Sequence, residues 1–140
     1  MKGVYILLIR INRDVLVKVG SIGEIYFCKG FYAYVGSAQR CLDKRLARHL
    51  KKRKRNFWHV DYLLSDGSVS LVNFFVKTNA AKSEECSIAK KLGEIGFPIK
   101  NFGCSDCDCN SHLFRINVAL FENLCVSLGF KPYSLASESP

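Results

Sequence analysis

Three thiols and an imidazole fall within nine residues of this chain, as Cys104-x2-Cys107-x-Cys109-x2-His112. Those are zinc ligands in type, and Cys-x2-Cys is a familiar half-site. The common zinc pattern separates two such pairs by about a dozen residues or more, so this set is compact and irregular. Two readings stay open: a bound Zn2+, or a tight loop of buried, hydrogen-bonded Cys and His. The intervening Asp106 and Asp108 put negative charge beside the thiols, which raises their pKa and works against reactivity. The other four cysteines, Cys28, Cys41, Cys86 and Cys125, stand singly in apolar context and read as small buried hydrophobes. An odd count of seven argues against a disulfide framework and for a reducing, cytoplasmic setting.

A second chemistry-bearing feature is electrostatic. The 140 residues carry a net charge of +9, and it is not spread evenly. Arg40, Lys44, Arg45, Arg48, Lys51, Lys52, Arg53, Lys54 and Arg55 are nine basic residues against the one acid Asp43, so residues 40–55 hold a net +8. A protein basic in one place has a surface for a polyanion. Nucleic acid is the leading partner and an anionic membrane face the second; a merely solvated helix face is the plain alternative. The longest apolar run, Val4 to Ile9, is far short of the ~20 residues that span a bilayer, and no leader is expected.

These groups must be positioned by a single domain over residues 1–133, with an unordered tail at 134–140. Gly3 to Arg10 is an apolar strand, Val15 to Val19 alternates, Gly20 to Gly23 turns, and Glu24 to Cys28 and Phe31 to Gly36 are further strands. The connections are too short for crossover helices, so antiparallel hairpins follow. The period then changes. Leu42, Leu46, His49 and Leu50 recur at helical spacing, with Arg45, Arg48, Lys52 and Arg55 on another face. Trp58 to Leu64 reads as a short helix or turn-rich segment and Val69 to Lys77 as a strand. Ala81 to Ile95 reads as a helix stopped at Gly96, 101–111 as a polar loop, His112 to Ile116 as a strand and Val118 to Leu128 as a last helix.

Gly3-Val4-Tyr5 opens the first strand, and Tyr34-Val35-Gly36-Ser37-Ala38 closes the fourth, followed by Lys44-Arg45 and Arg48-His49. Here the sequence resembles the GIY-YIG endonuclease superfamily. More narrowly it is similar to a mainly archaeal branch, a domain of unknown function sometimes joined to endonuclease III-type repair enzymes. The narrower likeness rests on Val19-Gly20-Ser21-Ile22-Gly23-Glu24, Trp58-His59-Val60-Asp61-Tyr62-Leu63-Leu64, Glu85-Cys86, and residues 105–113, Ser-Asp-Cys-Asp-Cys-Asn-Ser-His-Leu. The resemblance implies a small α/β (α+β) domain, a central antiparallel sheet flanked by helices, with a β-hairpin inserted near the N-terminus. That hairpin leaves 28 residues between the two tripeptides, more than the family usually has.

The resemblance also implies one active site. Tyr5 and Tyr34 match the motif tyrosines, Arg45 the helix arginine, and Glu85 the metal-binding glutamate; His49 and His59 match histidines of some homing-endonuclease members. Glu84 would point about 100° away from Glu85 around a helix, so only one of the two can serve. Phosphodiester hydrolysis needs an activated water and charge stabilisation at phosphorus. A Mg2+ or Mn2+ ion on one carboxylate supplies both, and Arg45 can grip the phosphate with its planar fork. Tyr5 is the expected general base and Tyr34 the positioning residue, with His49 a competing base. Arg40, Lys44, Arg48, Lys51 to Arg55 and His59 would hold the nucleic-acid backbone, DNA first, and a repair protein is a further partner. No base-reading element is visible, so structure-specific rather than sequence-specific cutting is expected. A catalytically weak nucleic-acid-binding module, or a repair-enzyme accessory domain, of the same fold is the alternative.

Overall fold

The first strand is apolar at nearly every position, which suits a chain segment covered on both faces. In the computed structural model, which describes residues 1–104 and 107–134, that is where it lies. Strand β1 (Gly3–Ile11) runs between β4 (Gly30–Ala38) and β5 (Val69–Thr78), antiparallel to both. Alternate side chains enter two separate cores. Tyr5, Leu7, Ile9 and Ile11 face one, and Val4, Ile6 and Leu8 the other.

Three more short strands complete the sheet, and four helices pack on it. After α1 (Leu42–Leu50), α2 (His59–Leu64), β5 and α3 (Glu84–Ile95) come β6 (Phe97–Pro98), β7 (Leu113–Ile116), α4 (Val118–Leu128) and β8 (Lys131–Tyr133). The strand order is β6-β7-β4-β1-β5-β8, all neighbours antiparallel. On one face, Leu42 and Leu46 of α1 and Val60, Leu63 and Leu64 of α2 pack on the Tyr5 side. On the other, Ile88, Ala89 and Leu92 of α3 and Phe121 and Cys125 of α4 pack on the Val4 side. The result is a mixed α+β domain with helices on both faces of one antiparallel sheet.

The remaining pair, β2 (Val15–Lys18) and β3 (Glu24–Phe27), forms its own two-stranded ribbon closed by a 3-10 turn at Gly20–Ile22. It is the insertion expected between the two tripeptides. Because β1 and β4 are direct neighbours, the extra residues leave at their far end and do not disturb the pairing of Tyr5 with Gly36. Val17, Val19 and Phe27 anchor the ribbon in the first core.

The structure corrects three expectations of extent. Helix α1 stops at Leu50, and Lys51 to Arg55 lie in the loop that follows. Five consecutive like charges repel across any helical turn, and no apolar residue among them can dock. Helix α3 begins at Glu84 rather than Ala81, since Glu84 Oε2 accepts from the Ala81 amide at 3.0 Å and closes the turn before it. The edge strands β6 and β8 were not expected. Ser105, Asp106 and the tail from residue 135 onward lie outside the described residues.

Candidate active site

The β1–β4 register builds the centre of the site. Tyr5 lies opposite Gly36 and Leu7 opposite Tyr34, so the two tyrosines share a face as diagonal neighbours. The Tyr5 ring crosses directly over Gly36: a Cβ there would sit 2.6 Å from both Cζ and the hydroxyl oxygen of Tyr5. Glycine is required at that position for close approach rather than for backbone freedom. Both tyrosines, with Ser37, Gln39, Arg45, Phe57, Trp58, His59, Lys82, Glu85 and Gly103, line a cleft of about 530 Å³.

Each wall comes from a different element. Glu85, in the first turn of α3, is 16% exposed; its Oε1 accepts from Ser37 Oγ at 2.7 Å. Its Oε2 lies 2.8 Å from His112 Nδ1, off the line of a hydrogen bond. Glu84 turns away to Lys77 at 3.2 Å, so of the two adjacent acids only Glu85 reaches the cleft. Arg45 donates to the Ser37 carbonyl at 3.0 Å and stacks on Trp58, 4.4 Å from guanidinium carbon to ring centroid. His59 Nδ1 accepts from the Gly103 amide at 2.8 Å. Its neutral form therefore carries its proton on Nε2 and is a donor there. Gly103 holds a left-handed φ of +74° that brings this amide round.

Behind Tyr5 sits His49. The Tyr5 hydroxyl and His49 Nε2 are 2.8 Å apart, and both residues are 2% exposed. Burial pushes the Tyr5 phenol up to about 12, although Arg45 pulls it back through charge and hydrogen bonding. Burial pushes His49 down to about 3, with Asp61 opposing and Arg45 and Arg48 reinforcing the fall. Tyr34 is likewise well above its ordinary value because it is buried. His49 is thus neutral at physiological pH and is not among the cleft-lining residues.

The basic block divides. Arg48 is committed to Asp61, its two terminal nitrogens bonding Oδ1 at 2.9 Å and Oδ2 at 3.0 Å, and it donates also to the Arg55 carbonyl. Asp61 is fully buried and accepts from the Phe57 and Trp58 amides as well, each at 2.8 Å. Burial works to raise its pKa, but the Arg48 fork and those amides outweigh it and the net shift is down. Lys52 caps the carbonyls of Leu64, Asp66 and Val69, and Lys54 that of Lys51. Of the residues expected to hold a nucleic-acid backbone, Arg48, Lys52 and Lys54 thus also spend donors on the 51–69 segment of the fold. Arg40, Lys44, Lys51, Arg53 and Arg55 are exposed. Phe57, 76% exposed at the cleft edge and edge-on to Trp58, was not singled out from the sequence.

The cysteine cluster is also corrected. The ligand atoms that come within 4.8 Å of one another belong to Cys86, Cys107, Cys109 and His112, with Cys86 in the place expected for Cys104. This is a set that can hold a metal ion. Of the four cysteines expected to be buried, Cys125 is, Cys28 and Cys41 are exposed, and Cys86 is half-buried on α3. Burial pushes the Cys109 thiol up, and hydrogen bonds to Cys86 and Cys107 add to it. For Cys86 the bond to Cys109 lowers the thiol, but burial and Cys107 carry the net upward.

A family model matches residues 4–130, nearly the whole described domain. The chain belongs to the family described as Domain of unknown function DUF123. The match takes in Val4-Tyr5 of the first tripeptide, the whole of the second, the inserted ribbon, Glu85 and the cysteine cluster, so the DUF123 domain contains the entire cleft. No curated protein and no solved structure matches the chain. No helix among the described residues is long and apolar enough to cross a membrane.

Proposed function

We propose that this DUF123 domain is a divalent-metal-dependent endonuclease of the GIY-YIG type that hydrolyses phosphodiester bonds of nucleic acid, DNA first. The observation that carries the reading is the convergence of Tyr5, Tyr34, Arg45, His59 and Glu85, from five separate segments, on one cleft beside a basic loop. The residues fit a Mg2+ or Mn2+ ion. Glu85 is the one carboxylate lining the cleft among the described residues. A carboxylate has about four lone-pair sites; Ser37 takes one on Oε1, and His112 Nδ1 lies beside Oε2 without hydrogen bonding to it. Mg2+ is commonly held by one or two carboxylates and keeps several waters. When bound, such an ion activates water and polarises the phosphate.

The chain's own groups do the rest. Arg45, braced on Trp58 and the Ser37 carbonyl, presents its fork to a phosphate oxygen. His59 Nε2–H donates to a second oxygen. Tyr5 takes a proton from the attacking water once the bound charges lower its pKa, and Tyr34 positions that water. The exposed Arg40, Lys44, Lys51, Arg53 and Arg55 grip neighbouring phosphates. The test is cleavage of branched, nicked and single-stranded DNA and RNA with Mg2+ or Mn2+, comparing wild type with Arg45→Lys, Tyr5→Phe and Glu85→Ala. Loss of cutting with retained binding in Arg45→Lys and Tyr5→Phe is the expected result; wild type that binds but cuts no substrate sinks the proposal.

One observation favours a second reading, a binding module without strong catalysis. In the metal-free protein Tyr5 is a phenol of pKa about 12 and His49 an imidazole of about 3, so neither is poised near neutrality. The same assay separates the two readings. A repair protein accompanying this domain would be a partner under either.

A further inference from the structure

We propose that Cys86, Cys107, Cys109 and His112 bind one structural Zn2+, and that Glu85 is the outer carboxylate that orients His112 toward it. Tetrahedral zinc with bonds of about 2.3 Å to sulfur and about 2.0 Å to nitrogen needs ligand atoms roughly 3.5–3.8 Å apart. Cys107 Sγ and His112 Nε2 already stand at 3.5 Å. All four ligand atoms lie within 4.8 Å of one another, so a contraction of about 1 Å, within reach of χ1 rotation and loop closure, completes the site.

The supporting geometry is independent of the thiols. His112 is 1% exposed and presents Nε2 to the cysteines and Nδ1 to Glu85 Oε2 at 2.8 Å. A metal-bound imidazole almost always donates its other N–H to a carboxylate, carbonyl or water. With zinc on Nε2 the proton must be on Nδ1, and small rotations of either side chain bring it onto the Glu85 oxygen. Cys86 follows Glu85 on α3 and points about 100° away, so adjacent residues serve the metal directly and through His112. The backbone is pinned on both sides: His112 N donates to the Phe102 carbonyl at 2.8 Å, and Asn101 N to that of Asn110 at 2.8 Å. Zinc would tie this loop to α3 and fix the carboxylate of the cleft.

The experiment is metal analysis of the full chain purified under reducing conditions, with titration of the apoprotein by Co2+. One zinc per chain is expected, together with the thiolate-to-cobalt charge-transfer and tetrahedral d–d bands of a three-thiolate site. Cys86→Ser should lose the metal and Cys104→Ser keep it. Glu85→Gln should weaken Co2+ binding about 10–100-fold without changing the shape of the spectrum. Substoichiometric zinc in wild type with no thiolate–cobalt band overturns the proposal, as does loss of metal in Cys104→Ser with retention in Cys86→Ser. Should Cys86→Ser not fold, the thiolate count in the wild-type cobalt spectrum decides between three ligands and fewer. An unchanged Co2+ affinity in Glu85→Gln refutes the orienting role. Zinc without cleavage supports this inference and sinks the nuclease reading, and cleavage without zinc does the reverse.

Discussion

Arg48 separates a structural from a nucleic-acid-binding role for the basic block. Replacing it with alanine leaves the Asp61 carboxylate buried with two backbone amides in place of four donors. Removing one partner of a fully buried ion pair costs about 3–5 kcal/mol. Arg48 is 29% exposed, so water reaches part of the space it vacates, and about 2–3 kcal/mol is the expected loss. With a urea m-value of about 1–3 kcal/mol/M, the unfolding midpoint at pH 7 should fall by roughly 1–2 M. Asp61→Asn should cost a similar amount, and the double variant less than the two singles added, because the pair shares one interaction. The pH dependence follows from the lowered Asp61 pKa: its stabilisation is complete above the ordinary carboxylate value and is lost as pH falls through the depressed folded value. Wild type should therefore lose stability more steeply than Asp61→Asn in acid, with no difference in slope near neutrality. The salt slope of DNA binding should not change in Arg48→Ala, whereas Arg53→Ala should reduce it by about 0.9 on duplex DNA. An unchanged urea midpoint in Arg48→Ala, with a reduced salt slope, would refute the assignment of Arg48 to the fold.

Three further outcomes are expected. Phe57→Ala should weaken binding of single strands or frayed ends by about 1–3 kcal/mol and of intact duplex little, read by fluorescence anisotropy, because an exposed ring at the cleft edge can stack on an unpaired base. Gly36→Ala should displace the Tyr5 ring it would strike at 2.6 Å, costing about 1–3 kcal/mol in urea unfolding and abolishing cleavage, while Gly67→Ala, where a Cβ meets nothing within 4 Å, should do neither. Tyr5 should ionise near 12 in an ultraviolet titration of the metal-free protein. If Tyr5 is the base, cleavage should then climb with pH through the neutral range, and Tyr5→Phe should lose about 10²–10⁴-fold; a flat profile would remove it from that role.

What was legible in the sequence was whatever depended on local period. The unbroken apolar run of β1 announced a strand, and the alternation at Val15, Val17 and Val19 announced the inserted ribbon. What was not legible depended on partners far along the chain. Edge strands of two and three residues, each containing a proline (Pro98 and Pro132), carry no pattern to read and exist because a neighbour pairs with them. The path of the chain after α1 is pinned by Asp61, whose carboxylate draws Arg48 and the Phe57 and Trp58 amides together across the intervening loop. Charge density marked residues 40–55 as one surface, but density does not show that Lys52, itself exposed, spends its ammonium on three backbone carbonyls.

The same limit applies to the site, with a sharper consequence at Tyr5 and His49. As sequence they are two candidate bases 44 residues apart; in the fold they form one hydrogen-bonded pair and cannot compete. At neutral pH His49 carries one proton, and its Nδ1 is buried with no partner. Either Nε2 accepts from the Tyr5 hydroxyl and Nδ1–H is orphaned, or Nε2–H donates to the Tyr5 oxygen and Nδ1 is an unpaired acceptor. Both tautomers leave a buried unsatisfied nitrogen, at about 1–3 kcal/mol. The second leaves the Tyr5 proton free to point into the cleft and supports a phenolate once it has gone, alongside Arg45. Protonating His49 instead is blocked by its burial and by Arg45 and Arg48. If Tyr5 is the base proposed above, His49 would act through it, as the neutral Nε2–H donor to its oxyanion rather than as a second base.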